Sequence, residues 1–130
     1  MVVHPNIIRT HSSSIWFDED RILHVLPNEG AEIDLEEVIA CFVIYKKLGC
    51  DKKKVLQLID GRAGFIIRKE ARDYAAKHGR TFFIASAVIS NSLPVRLMVN
   101  FFNTFYNHSV PFKLFADEFE AITWLKRFNK

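Results

Sequence analysis

The chain has only two cysteines, Cys41 and Cys50. Neither their number nor their spacing makes a disulfide framework or a zinc motif. Cys41 falls inside a helical pattern and reads as a small core residue. Long apolar runs are also missing. No segment approaches the roughly 18 uninterrupted apolar residues of a membrane-crossing helix. Met1–Thr10, with Pro5, Asn6 and Arg9, has no apolar stretch suited to a secretory signal. A reduced, cytoplasmic setting is the expectation. The histidines His4, His11, His24, His78 and His108 never stand three or four residues from one another or from a cysteine, so no local metal motif forms. A Gly-x-Ser-x-Gly nucleophile elbow is absent. So are a dinucleotide fingerprint and a phosphate loop. These absences point away from catalysis, and no catalytic residue, metal or cofactor is expected.

Neither sign of charge dominates. Eighteen Lys and Arg stand against fifteen Asp and Glu, a net charge of +3. Nucleic-acid binders gather basic residues on one face or helix. Here the only run is Lys52-Lys53-Lys54 beside Asp51, which reads as a solvated turn. Nucleic acid is therefore not an expected partner. What the chain does have is phenylalanine, twelve in 130 residues, enough for a bulky core or an adhesive face. A chain of this length makes one domain and buries about two thirds of its unfolded surface without a disulfide or metal.

Ile15-Trp16-Phe17 and Ile22 to Leu26, joined by Asp18 to Arg21, predict a hairpin. Ser12-Ser13-Ser14 before it reads as a loop. Asp34 predicts a helix N-cap with Glu37 as its capping-box partner, and Leu35, Val38, Ile39, Phe42 and Tyr45 form the apolar stripe behind it. Gly49 ends that helix. Val55 to Ile59 is a buried strand interrupted only by Gln57. Residues 68–78 make a second helix with a small inner face of Ala71, Tyr74 and Ala75. Thr81 to Ile89 is a strand apolar on both faces except at Ser86, as in parallel sheets. A third helix starts after Asn91-Ser92 and runs to about Asn107. Pro111 to Ala116 is the last strand. Asp117, with Glu120, caps a fourth helix that buries Ala121, Trp124, Leu125 and Phe128. The predicted order is β-β-α-β-α-β-α-β-α. It implies an α/β fold with a mixed, mostly parallel five-stranded sheet and four helices.

Ligands in open α/β sheets bind beyond the carboxyl ends of the strands. Asp60-Gly61-Arg62-Ala63-Gly64 lies at such an end and reads as a plain turn rather than an anion site. The third helix carries a stronger signal. At 100° per residue, Leu97, Phe101, Phe105 and Met98 form one apolar sector, and Val95, Phe102, Val99 and Tyr106 continue it. Arg96, Asn100, Asn103 and Asn107 hold the rest. The apolar arc spans roughly 200°, more than a surface helix needs. Either the helix is deeply buried or flanked by Phe112 and Trp124, or it offers an apolar groove or a partner surface.

Several segments carry a family resemblance. They are Ser14 to Phe17, Gly30 to Leu35, Lys69 to Tyr74, Asn91 to Arg96, Asn100-Phe101-Phe102 and Leu114 to Glu118, spanning about residues 14–128. In that order they resemble the STAS domains, the fold of bacterial anti-sigma-factor antagonists, and in particular an uncharacterised bacterial family of STAS-like proteins. The resemblance implies a single STAS-like domain over residues 14–130 behind an N-terminal extension, residues 1–13. It also implies a regulatory, protein-binding role. STAS antagonists are switched by phosphorylation of a Ser or Thr at the start of the helix after the central strand. The matching segment here, Phe65-Ile66-Ile67-Arg68-Lys69, has no hydroxyl, and Arg68 has the wrong charge to imitate a phosphate.

Two functional expectations follow. One is a non-enzymatic interaction module with a surface made by Arg62, Ile67, Arg68, Asn91 and Ser92, extended by the third helix through Val95, Arg96, Val99, Phe102 and Tyr106. Its partner is an unidentified protein or a second copy in a homodimer. The alternative is a carrier or sensor of a small apolar ligand held between the third helix and the sheet, with Arg96 or Asn100 as polar anchors. The STAS fold is similar to that of the CRAL-TRIO lipid carriers, which bind apolar ligands.

Overall fold

The computed structural model describes residues 6–105 and 110–128, apart from the Phe105 side chain. Its elements are β1 (Ile8–Arg9), β2 (Ser13–Phe17), β3 (Ile22–Pro27), β4 (Ala31–Ile33), α1 (Leu35–Lys47), β5 (Val55–Asp60), β6 (Phe65–Ile67), α2 (Lys69–His78), β7 (Phe83–Ile89), α3 (Leu93–Phe105), β8 (Phe112–Phe115) and α4 (Glu118–Lys126). The main sheet has six strands in the order β1-β2-β3-β5-β7-β8. The β2–β3 hairpin is antiparallel, and β3, β5, β7 and β8 run parallel.

The predicted mixed α/β architecture with four helices is the one observed. The strand count differs. β1 pairs antiparallel with β2, so the segment read as an N-terminal extension supplies an edge strand. Ser13 and Ser14 belong to β2 and only Ser12 stays in the β1–β2 turn, so most of the serine tract is strand rather than loop, and Ser12 and Ser13 are buried. β4 and β6 form a separate two-stranded parallel ribbon with Ala31 opposite Phe65 and Ile33 opposite Ile67. Strands of two or three residues are too short to show alternation, and only contact between distant segments creates them.

Side-chain alternation along the sheet divides the interior in two. Leu23, Val25, Val55, Phe83 and Val88 meet α1, α2 and α3 on one face. Ile22, Leu56, Leu58, Ala85, Ala87 and Ile89 point the other way, where α4 brings Ala121 and Leu125. Each fully buried aliphatic side chain contributes about 1.5–3 kcal/mol. Trp124 packs on Phe115 and Phe128 in this second layer. It lies across the sheet from α3, which corrects the expectation that it flanks that helix. Phe112 does flank α3, its ring 4.9 Å from that of Phe102.

The helix caps follow the sequence with one exception. Asp34 accepts the Glu37 amide at 2.9 Å, and Asp117 accepts the Glu120 amide at 2.8 Å. The Glu37 carboxylate does not turn back to its own cap. It is buried, and it accepts from the Ser12 amide at 2.8 Å, from the Ser12 hydroxyl and from the Thr10 hydroxyl at 2.6 Å. It thereby ties the β1–β2 turn to α1.

Candidate functional site

On the three-helix side, the helical layer does not fill the space above the sheet. A cavity of about 140 Å³ lies between them. Val25, Ile59, Phe83 and Val88 form its apolar floor, with Gln57 and Ser86 among them. α1 supplies Val38, Cys41, Phe42 and Tyr45 as one wall. α2 brings Ala75 and Ala76, whose short side chains fill little of this space. Met98, Val99 and Phe102 of α3 close the roof, and Ile67 of β6 lies at the rim.

The floor's polar residues form one cluster. Gln57 and Ser86 stand side by side in the β5–β7 register, and the Ser86 hydroxyl donates to Gln57 Oε1 at 2.8 Å. The Tyr45 hydroxyl interacts with both Gln57 and Cys41. Burial raises the tyrosine well above its ordinary range, with the neighbouring Cys41 adding to the effect. Burial, then the Glu37 charge, pushes the Cys41 thiol up to about 12. Both groups are neutral at physiological pH. Arg72 of α2 lies at the edge, where its Nη1 donates to the Ile67 carbonyl at 2.6 Å. Its guanidinium carbon lies 5.7 Å from the Phe101 ring centroid.

The structure redistributes the residues predicted for an interaction or ligand surface. Ile67, Val99 and Phe102 line the cavity. Val95 and Val99 are each 1% exposed, so neither belongs to a surface. The inner sector of α3, Val95, Met98, Val99 and Phe102, spans about 100° of the wheel. The outward apolar residues are Leu93, Leu97 and Phe101, exposed by 60, 58 and 46%. A 200° apolar arc cannot tell which part faces the sheet, and the seating of the helix decides it. Arg96, Asn91 and Asn100 are exposed, and Ser92 is half-buried. Arg96 and Asn100 are not among the residues that line the chamber. Tyr106, Asn107, His4 and His108 lie outside the described residues.

Arg62 and Arg68 are engaged in ion pairs. Arg62 grips Asp60 through Nε at 2.9 Å and Nη2 at 2.7 Å, and reaches Glu118 at 3.5 Å. The Arg62 hydrogen bond holds the Asp60 carboxyl below its ordinary value. Asp60 also accepts the Arg62 amide at 3.1 Å, so the segment Asp60–Gly64 closes on its own carboxylate as a turn. Gly61 is required there, because a Cβ would fall 2.7 Å from the Phe65 ring. Gly64 has φ +84°, a left-handed conformation that glycine adopts without strain. Arg68 pairs with Glu32 at 3.2 Å across the β4–β6 ribbon.

Sequence reasoning missed two features. One is the polar floor, whose signal was the pair of interruptions at Gln57 and Ser86 in otherwise apolar strands. The other is on the opposite sheet face. There the Trp16 ring stacks on His24 at 5.1 Å and 14°, and His24 Nε2 lies 2.9 Å from Asp18 Oδ2.

The model of a family described as a domain of unknown function, DUF7793, matches residues 15–129. The chain belongs to this family. Among curated proteins there is no match. Among solved structures, the chain is similar to an uncharacterised protein of the DUF3478 family with a SpoIIAA-like fold from Shewanella loihica PV-4. The identity is 18%, covering 88% of this chain and 92% of that one, with a TM-score of 0.61. That likeness places the domain in the SpoIIAA-like, or STAS-like, fold. Among the described residues, no helix is long and apolar enough to cross a membrane.

Proposed function

We propose that this DUF7793 domain is a non-enzymatic, STAS-like binding module of the bacterial cytoplasm that takes a small apolar ligand between α3 and the sheet. The cavity carries this reading. Its 140 Å³ compares with a buried apolar cavity of about 150 Å³ that binds benzene. Native interiors leave few voids larger than a water molecule. The apolar lining with a few convergent polar groups is the usual make-up of a ligand pocket. Benzene titration of the full chain, followed by methyl chemical shifts, tests it. Saturable shifts at Val88 and Val99 are expected. A spectrum unmoved both by millimolar benzene and by its polar derivatives phenol and benzoate would refute the reading.

The second reading, a regulatory interaction module, draws support from the outward stripe of Leu93, Leu97 and Phe101 on α3. Asn91, Arg96 and Arg68 are exposed polar residues available to such a surface. Its partner is an unidentified protein or a second copy of the chain. The two readings are compatible, because the inner and outer faces of α3 serve them separately.

A further inference from the structure

From the floor of the cavity, we propose that the ligand is not a hydrocarbon but a small uncharged molecule with a hydroxyl group, a single ring or branched alcohol, whose oxygen sits at the Gln57–Ser86 pair. This rests on the chamber being a ligand site.

Gln57 and Ser86 are 7% and 5% exposed, on two adjacent interior strands of a sheet whose inward neighbours are Val55, Ile59, Phe83 and Val88. Burying amide and hydroxyl groups is unfavourable unless they are hydrogen-bonded. Replacing both partners of such a bond by apolar groups of the same shape is close to neutral for stability. Packing alone thus gives little reason for this pair, and both of its members line the chamber.

The geometry leaves specific valences. The Ser86 hydrogen is spent on Gln57 Oε1. Ser86 Oγ keeps lone pairs, and Gln57 Oε1 keeps a second one. The floor can thus accept an O–H, and the Gln57 amide, one of whose hydrogens is engaged with the Tyr45 oxygen, has a second to offer in return. A hydroxyl does both. Every group in this cluster is neutral, so it offers no counter-ion to a carboxylate. Among the described residues, the cation lining the chamber is Arg72, which donates Nη1 to the Ile67 carbonyl but leaves its buried Nε without a partner, so a carboxylate is the competing ligand class.

The test compares benzene, phenol and benzoate as probes of the wild-type chain, of Gln57→Leu and of Ser86→Ala, with thermal melts as a fold check. Phenol is expected to bind wild type about tenfold more tightly than benzene, because only phenol can hydrogen-bond the acceptor lone pairs left at Gln57 Oε1 and Ser86 Oγ. Gln57→Leu and Ser86→Ala should each reduce that preference while benzene affinity holds or rises. Should Gln57→Leu not fold, Ser86→Ala alone decides. Equal affinity for phenol and benzene overturns this inference and leaves the apolar-ligand reading standing. So does a phenol preference that survives both substitutions. Benzoate binding above phenol, lost in Arg72→Met, also overturns it and makes Arg72 the anchor. No binding of any probe overturns both proposals.

Discussion

The carboxylate of Glu37, on the first turn of α1, accepts the backbone amide of Ser12 at 2.8 Å, twenty-five residues away in sequence. With the Ser12 and Thr10 hydroxyls it has three donors and is buried. Charge-assisted bonds of this kind are about twice as strong as neutral ones. Glu37→Ala leaves those donors without an acceptor and should lower stability by about 2–4 kcal/mol. Glu37→Gln, which keeps one acceptor, should cost less. Urea denaturation of both variants checks the order, and equal losses would show that charge plays no part.

Cys41 should be chemically silent in the native state. Its thiol is held near 12 by burial and by Glu37, and the thiolate is the reactive form. Iodoacetamide at pH 8 should leave it unlabelled until urea unfolds the chain. The same displacement gives a pH dependence. The unfolded thiol loses its proton near its ordinary value of 9.0, whereas the folded one keeps it to about 12. Native stability therefore falls as pH rises across that interval. Cys41→Ala should make the fall shallower, and alkaline melts of the two proteins read the difference.

The Asp60–Arg62 clasp works in the opposite pH direction. Its folded carboxyl is held below the ordinary value, first by the Arg62 hydrogen bond. The contribution is complete at neutral pH and is lost as pH falls from about 4 through the folded value. With Arg62 about half exposed, it is worth less than about 1 kcal/mol. Asp60→Asn should remove a small part of the acid sensitivity, measured as the change in melting temperature between pH 6 and pH 3. An unchanged acid slope would show that the clasp contributes nothing.

The two faces of α3 should respond differently. Leu97, 58% exposed, should accept Ser with a change within about 0.5 kcal/mol. Val99, 1% exposed, should lose about 2–4 kcal/mol on the same change, from the lost packing and the unpaired hydroxyl. If the outer stripe holds two copies together, sedimentation should show wild-type self-association that Leu97→Ser abolishes. A wild-type monomer at high micromolar concentration would remove the second copy from the partners of this face.

Arg68 tests the remaining predicted surface. Its pairing with Glu32 is 57% exposed on both sides, so Arg68→Glu should change stability by less than about 1 kcal/mol. Any larger effect on partner capture then belongs to binding, and unaltered capture would take Arg68 out of the surface.

The sequence by itself determined the helices and the central strands. Asp34 and Asp117 carry cap signals readable within four residues, and Val55–Asp60 and Phe83–Ile89 are apolar enough to identify as buried strands. Local chemistry suffices there, because caps and periodicity act over one or two turns. Tertiary structure alone decided the rest. β4 and β6 exist only as each other's partners, and Glu37 leaves its capping box because a serine turn far back in the chain offers better donors. The chamber follows the same logic. The interruptions at Gln57 and Ser86 are visible in the sequence, but only the parallel register sets them side by side. Only the seating of α2, with Ala75 and Ala76 inward, leaves a space above them. A void is a property of how elements pack, and no single segment encodes it.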